Sequence, residues 1–304
     1  MCIRDRTYIL KQFGEQNFQK VHYFNFEKNK SLSSIFDEDI DPIKILNLLT
    51  INQEDVDTKE DLVIFDEIQD CPRAFTSLKY FNEEIPELAI CSAGSLLGIV
   101  LNDESFPVGK VEYQWLGPMN FEEFLKAIEV KKYQLLKDAI QNMQISDFEH
   151  SILLESYKVY SITGGMPEVV SRVKNEKLVS NDTFQEIRGI QQNLLNTYLS
   201  DFSKHAGKTN ASHIASVFQN IPSQLSKAID CSTKRFTFKN VITGKRGLRD
   251  LEGPIDWLCK AGLIYKSKIV NVANFPLESF SKHNMFKLYI FDTGILGNLS
   301  LIHI

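Results

Sequence analysis

Two adjacent carboxylates end a short apolar run in this 304-residue chain: Asp66 and Glu67 directly follow four apolar residues, 62–65. Such a run is typical of a strand buried on both faces, as in a parallel sheet. Sheets of this kind hold their ligands at the carboxyl ends of the strands. At that position the first acid can bind Mg²⁺, and the second can polarise a water molecule for attack on a γ-phosphate. The alternative is a core strand that runs into an acidic turn and does no chemistry.

A second apolar strand is predicted at 88–92, and small polar residues, among them Ser92 and Ser95, stand at its end and just beyond. Between the two strands, residues 73–84 have apolar side chains at helical spacing, which predicts a helix. The order strand, helix, strand forms a βαβ unit, so we expect the two strands to be adjacent and parallel. We therefore expect Asp66 and Ser95 to lie within one ligand's reach at the carboxyl edge of the sheet.

Around these residues the chain resembles the bacterial and archaeal AAA-type ATPases whose C-terminal half is a domain of unknown function called DUF4143. The resemblance implies an α/β, AAA+-like P-loop NTPase fold, with ATP and Mg²⁺ as cofactors. It also implies a Walker B element in which Asp66 is the metal-side carboxylate and Glu67 is the catalytic base. Ser92 or Ser95 would be the sensor that touches the γ-phosphate or the attacking water. The matching stretches cover nearly the whole chain in the family's order: 65–72, 93–98, 106–111, 116–125, 164–169, 221–225, 257–264 and 287–294.

The same resemblance implies a phosphate-binding loop, Gly-x-x-x-x-Gly-Lys-Ser/Thr, whose backbone N–H groups and lysine hold the triphosphate. The chain does not contain this motif. The resemblance places Thr7 as the last hydroxyl residue of the loop, a Mg²⁺ ligand, with Asp5 and Arg6 in the places of the glycine and the lysine. The tripeptide 207–209, Gly-Lys-Thr, is no substitute, because Phe202 stands where the first glycine is required. We therefore expect a fragment that lacks the P-loop and a C-terminal segment of the family, and that binds ATP weakly or not at all.

Three parts are expected along the chain. They are an ATPase core truncated at its N-terminus at 1–130, a helical lid with a linker at 131–209, and a truncated winged-helix or DUF4143 region at 210–304. In the last part, a helix at 248–261, a glycine turn and a strand at 263–270 are similar to a winged helix. We also predict a strand at 107–115 and helix N-caps at Asp41 and Asn120.

The winged-helix region is basic. Residues 231–270 hold nine basic and three acidic side chains, whereas the whole chain has a formal net charge of −5. This stretch could meet nucleic-acid phosphates, with Lys245, Arg246 and Arg249 near the start of the recognition helix as candidate contacts. Alternatively, the region packs on the ATPase core or binds protein. A second hypothesis for the chain is thus a non-enzymatic winged-helix DNA- or protein-binding module on a degenerate ATPase scaffold.

The overall composition is ordinary for a soluble globular protein, with 43% hydrophobic and 24% charged residues. No apolar stretch approaches the ~20 residues that span a bilayer, so we expect no membrane contact. Five cysteines without a Cys-x-x-Cys pair predict reduced thiols, a cytoplasmic location and no zinc site. An oligomer is compatible with the sequence. The resemblance also implies a basic residue around the strand predicted at 107–115 that could act in trans as an arginine. Lys110 is the only candidate, and a lysine cannot make an arginine's two-pronged contact.

Overall fold

The chain divides into two compact units, 1–116 and 117–304. The predicted division into 1–130, 131–209 and 210–304 stays a prediction. Among the described residues, no helix is both long enough and apolar enough to cross a membrane. A computed structural model describes residues 3–51, 54–94, 109–174, 181–229, 235–272 and 274–301.

The first unit is an α/β fold around a parallel sheet of three described strands. The central strand, β2, pairs with β1 on one side and β3 on the other, and both pairings are parallel. The prediction that the strands at 62–65 and 88–92 are adjacent and parallel is confirmed. The elements run α1 (Ile3–Asn17), β1 (Val21–Asn25), α2 (Leu32–Glu38), α3 (Pro42–Leu49), β2 (Leu62–Asp66), a 3₁₀ turn (Ile68–Asp70), α4 (Pro72–Glu84) and β3 (Ala89–Ser92).

Phenylalanines fill the core beside β2. The ring of Phe65 lies within 6.2 Å, centroid to centroid, of the rings of Phe24, Phe26, Phe36 and Phe81, in tilted or edge-to-face geometry. Such pairs add attraction beyond the apolar area that they bury. All five residues of β2 are buried. The strand that carries the two candidate acids is therefore anchored immediately before its carboxyl end.

Local signals set two helix starts. The Asp41 carboxylate accepts hydrogen bonds from the N–H groups of Ile43 and Lys44, and Pro42 occupies the first position of α3. Asn120 forms a reciprocal capping box with Glu123 at the start of the next described helix. Because a cap satisfies backbone N–H groups that have no partner inside the helix, it defines where the helix begins. Both predicted caps are confirmed.

The second unit is mostly helical and carries an antiparallel hairpin. The two strands of the hairpin, β4 and β5, pair from Ile264 opposite Ile290 to Val270 opposite Ser281. Apolar side chains from the helices and from β5 share one core, which includes Phe218, Leu258 and Phe286. The described elements are α5 (Phe121–Ile128), α6 (Val130–Asn142), α7 (Asp147–Thr163), α8 (Pro167–Lys174), α9 (Asn181–Ala206), α10 (Lys208–Ile229), α11 (Leu248–Lys260), β4 (Ile264–Val270), a 3₁₀ turn (Leu277–Phe280), β5 (Ser281–Ile290) and α12 (Thr293–Leu301).

One predicted strand is wrong. In the segment 107–115, the described residues 109–115 form a turn and then irregular chain, with no strand. The side chain of Trp115 is 77% exposed, so no layer of the fold covers it. Alternating aromatic and β-branched residues favour a strand only where a neighbouring strand and a core accept them. By contrast, the helix predicted at 248–261 and the strand predicted at 263–270 are present as α11 and β4.

Candidate functional site

Asp66 is the last residue of β2, and its side chain is 2% exposed. One carboxylate oxygen, Oδ2, accepts hydrogen bonds from the Thr7 hydroxyl at 2.8 Å, the Tyr23 hydroxyl at 2.5 Å and the Asn25 amide at 3.3 Å. The other oxygen, Oδ1, accepts the backbone N–H of Glu67 at 3.1 Å. These partners come from α1, β1 and the turn after β2. The fold therefore supplies a buried carboxylate with donors on both oxygens, as a buried charge requires.

Tyr23 lies on β1, across from β2. Burial, together with its hydrogen bond to the Asp66 carboxylate, raises the pKa of Tyr23 to about 12. The phenol therefore stays protonated at neutral pH and remains a donor to Asp66.

Glu67 begins the turn after β2, and its backbone adopts the left-handed conformation, with φ 52° and ψ 45°. This conformation strains a residue other than glycine, and such strain is concentrated at functional sites. The turn is held by hydrogen bonds from Ile68 N–H to Ala93 C=O and from Asp70 N–H to Glu67 C=O, both at 3.0 Å. At Glu67 the backbone therefore leaves the extended conformation of β2 and enters the turn.

The surroundings of the Glu67 carboxylate act on its pKa in both directions, with a net rise. Burial raises the pKa of Glu67, and the neighbouring Asp66 charge raises it further, whereas a hydrogen bond from Gln69 and the positive charge of Arg6 lower it. The Gln69 amide donates to Glu67 Oε2 at 2.6 Å. A buried acid with a raised pKa, held in a strained turn beside another acid, is a candidate proton acceptor.

The two sensor candidates have different outcomes. Ser95 lies outside the described residues. Ser92 ends β3 directly opposite Phe65, and its hydroxyl oxygen is buried without a hydrogen-bond partner among the described residues. Paired residues of neighbouring strands share a face of the sheet, and successive residues alternate between faces. Ser92 therefore lies on the same face as Phe65, opposite the face that carries the Asp66 carboxylate.

The basic residues proposed from the sequence lie in different surroundings. The Lys110 ammonium lies 3.8 Å from the Glu83 carboxylate, and both side chains are partly exposed. The Arg6 Nε is buried without a hydrogen-bond partner in the described part of the chain. In the second unit, Arg246 and Arg249 are exposed and Lys245 is partly buried, just before and at the start of α11.

Asp66 and Thr7 together fit Mg²⁺, but the residues before Thr7 do not fit a triphosphate. Carboxylate and hydroxyl oxygens are the donors that Mg²⁺ prefers, and its nucleotide sites use few protein ligands together with phosphate oxygens and water. Residues 3–6 form the first turn of α1 rather than a glycine loop, and Asp5 places a negative charge there. Within the described residues, no group of three or more His, Cys, Asp or Glu could hold a metal ion.

The sequence analysis missed Tyr23, Asn25 and Gln69. Tyr23 and Asn25 stand two residues apart on β1, so they share a face, and Asn25 is paired directly with Asp66. The period-two spacing of the polar side chains of Tyr23 and Asn25 was the available signal. It could be used only after β1 was known to pair with β2. Gln69 has no such signal in the sequence. Its contact with the Glu67 carboxylate depends on the conformation of the turn between them.

Comparison with known families covers both halves of the chain. Residues 6–125 match the family model of an AAA domain. This AAA-like segment contains all the candidate site residues of the first unit. Residues 154–303 match a domain of unknown function, DUF8612, and the expected DUF4143 domain is not confirmed. Among curated proteins, none matches the chain.

Two solved structures are similar over most of their length. One is a Walker-type ATPase, PABY2304, of Pyrococcus abyssi, with 13% identity, 92% of this chain and 84% of that chain covered, and a TM-score of 0.48. The other is the ORC1 protein of Aeropyrum pernix in complex with DNA, with 12% identity, 93% and 77% covered, and a TM-score of 0.32. With both TM-scores below 0.5, neither similarity supports a functional inference.

Proposed function

We propose that the AAA-like segment supplies the Walker B side of an ATP-hydrolysing site, in which Thr7 and Asp66 hold Mg²⁺ and Glu67 is the general base. The observation that carries the proposal is the 2.8 Å hydrogen bond between Thr7 Oγ1 and Asp66 Oδ2, which joins residues 59 positions apart. It lies at the carboxyl end of the central parallel strand, next to a second buried acid. Ligands of α/β sheets bind at this edge.

Each side chain has a separate task in this proposal. Bound Mg²⁺ would neutralise charge on the transferred phosphoryl group. Thr7 and Asp66 present oxygens to it, and the hydroxyl of Tyr23 and the amide of Asn25 keep the Asp66 carboxylate in place. Glu67 accepts a proton from the attacking water, and its raised pKa makes it a stronger base.

Gln69 occupies Oε2 of Glu67, and within the described residues no hydrogen bond reaches Oε1. That second oxygen is the atom that we assign to the water. Of the two sensor candidates we favour Ser95, because the register turns Ser92 away from Asp66.

Nucleotide titrations test this proposal. The 304-residue chain should bind MgATP weakly or not at all, because it does not contain the loop whose amides and lysine hold the triphosphate. A variant with a strand and a Gly-x-x-x-x-Gly-Lys loop joined in front of Thr7 should bind it. In that variant, Thr7→Ser should keep the Mg²⁺ dependence of binding, and Thr7→Val should remove it. Equal Mg²⁺ dependence in the serine and valine variants would exclude Thr7 as a ligand.

The competing hypothesis is a non-enzymatic binding module on an ATPase-like scaffold. It treats the contacts of Asp66 as purely structural, and it predicts that the extended variant binds no nucleotide although it folds. Circular dichroism of the extended variant beside the 304-residue chain would establish folding.

A second candidate function, nucleic-acid binding, is favoured by the basic second unit. There α11 is followed by the β4–β5 hairpin, the order of recognition helix and wing in a winged helix. Asp250 accepts hydrogen bonds from the backbone N–H groups of Arg246 and Gly247, which fixes the start of the helix. The exposed guanidinium groups of Arg246 and Arg249 form no ion pair among the described residues, so they are available to phosphates.

Salt-dependent binding tests this second candidate. Replacing Lys245, Arg246 and Arg249 with alanine should weaken duplex DNA binding at low salt. It should also reduce the slope of log K against log salt by about one for each lost phosphate contact. A charge-matched control replaces the exposed lysines 126, 131 and 137 with alanine and should have little effect. Equal losses in both triple variants would indicate attraction by net charge alone.

A further inference from the structure

The outward face of the β4–β5 hairpin carries two exposed tyrosines side by side. In the register, Tyr265 pairs with Tyr289 and Ser267 pairs with Lys287. We call these four residues the hairpin face. The tyrosines are 57% and 40% exposed, whereas Ile264, Leu288 and Ile290 beside them are buried on the other face. The hairpin is therefore amphipathic, but its outer side is aromatic and basic rather than simply polar.

The two rings have no aromatic partner. Many tyrosines in this unit make ring contacts, such as Tyr160 with Phe121 and Phe124. Among the described residues, neither Tyr265 nor Tyr289 packs against another ring, accepts a cation or forms a hydrogen bond through its hydroxyl. Side chains directly opposite each other on a hairpin have Cβ atoms about 5 Å apart. The pair thus presents two adjacent aromatic surfaces to solvent.

The segment that forms the hairpin is positively charged. Residues 260–290 contain five lysines and one acid, in a chain whose net charge is −5. Lys268 is paired with that acid, Glu278. Lys287, on the hairpin face itself, forms no ion pair among the described residues. Exposed aromatic rings next to an unpaired lysine are complementary to a polyanion that carries flat apolar groups.

We propose that the hairpin face binds single-stranded nucleic acid, with bases stacked on Tyr265 and Tyr289 and a phosphate held by Lys287. The inference rests on the nucleic-acid part of the proposed function, but it uses other residues. In a duplex the bases are already stacked on one another, so the rings gain no stacking partner there. Single strands expose their base faces, and stacking of bases on aromatic side chains contributes to affinity without regard to sequence.

Fluorescence anisotropy with a labelled 15-nucleotide oligo(dT) and a labelled 15-base-pair duplex tests this proposal on the full chain. In Tyr265→Ala/Tyr289→Ala, single-strand affinity should fall about 5-fold or more for each ring lost. Duplex affinity should change little. Tyr265→Phe/Tyr289→Phe should bind the single strand like the wild type, because the stacking surface remains. Tyr157→Ala, which removes an exposed tyrosine of α7, is the control and should have no effect.

The outcomes separate this inference from the nucleic-acid proposal. If the wild type binds neither oligonucleotide at low salt, both are overturned before any variant is made. If the wild type binds duplex through Lys245, Arg246 and Arg249, and the alanine double variant binds the single strand normally, only the hairpin face is excluded. If the phenylalanine variant loses as much affinity as the alanine variant, stacking is excluded. Unchanged duplex binding by the alanine variant would show that its loss of single-strand affinity is not due to misfolding.

Discussion

The carboxyl end of β2 and the hairpin face differ in how far their candidate functional side chains are buried. Asp66 and Glu67 are each 2% exposed, and four hydrogen bonds converge on the Asp66 carboxylate. On the hairpin face, Tyr265 and Tyr289 are 57% and 40% exposed, and neither forms a ring contact or a side-chain hydrogen bond among the described residues. Buried charges must be paired with donors, whereas exposed rings need no partner in the protein.

This difference decides what a substitution can report. Near Asp66, chemistry and stability are coupled, because the groups that position the carboxylate also satisfy a buried charge. On the hairpin face, a side chain can be removed with little effect on folding, so a loss of binding there reports on the contact itself. Substitutions at the buried site should therefore have the larger effects.

The largest effect is expected for Glu67→Gln in the loop-extended variant. Nucleotide binding should remain, and kcat for hydrolysis should fall about 10²–10⁴-fold, because glutamine cannot accept the proton of the water. Asp70→Asn, an exposed acid three residues further along, is the matched control and should keep full activity. Phosphate release under saturating MgATP measures both. An unchanged kcat for Glu67→Gln would remove Glu67 from its proposed role.

Phe65→Ala should destabilise the first unit by about 3–5 kcal/mol, since it opens a cavity among four other rings next to the site. By comparison, Tyr265→Ala on the hairpin face should change the free energy of unfolding of the second unit by less than about 0.5 kcal/mol. Urea denaturation of the full chain provides both values. Similar losses for the two substitutions would contradict the contrast between the buried and exposed regions.

Tyr23→Phe should cost about 1–1.5 kcal/mol of stability, because it removes one of the three side-chain donors to the buried Asp66 carboxylate. Tyr80→Phe is the control, since the Tyr80 hydroxyl forms no hydrogen bond within the described residues. If Tyr23→Phe is as neutral as Tyr80→Phe in urea denaturation, then Thr7 and Asn25 alone are enough to hold Asp66.

The smallest effect concerns the dependence of stability on pH. Burial raises the folded-state pKa of Glu67 above the ordinary value of 4.5, so the folded state binds the proton more tightly than the unfolded state. The contribution of Glu67 to stability is therefore complete below about 4.5 and is lost as the pH rises through the raised pKa. Relative to Glu67→Gln, the wild type should become less stable from pH 4 to pH 8. A constant difference between the two proteins would show that the carboxylate is not buried in solution.

Local signals made several features predictable. Four consecutive apolar residues before Asp66 indicated a strand buried on both faces, and β2 is buried throughout. Asp41 and Asn120 cap helices because a side-chain oxygen reaches N–H groups only two or three residues away. In each of these cases the deciding interaction lies within a few residues, or depends only on whether a residue is apolar.

The tertiary structure alone decided the rest. Nothing in the sequence places Tyr23 and Asn25 on Asp66, because a strand pairing brings together residues that are 43 and 41 positions apart. The same pairing turns Ser92 to the face of Phe65, since one step along a strand reverses the side of the sheet. Residues 109–115 have the composition of a strand, but they pair with no strand in the part of the chain that the structure describes. Periodicity therefore determines which residues can form an element, and long-range packing determines what those residues contact.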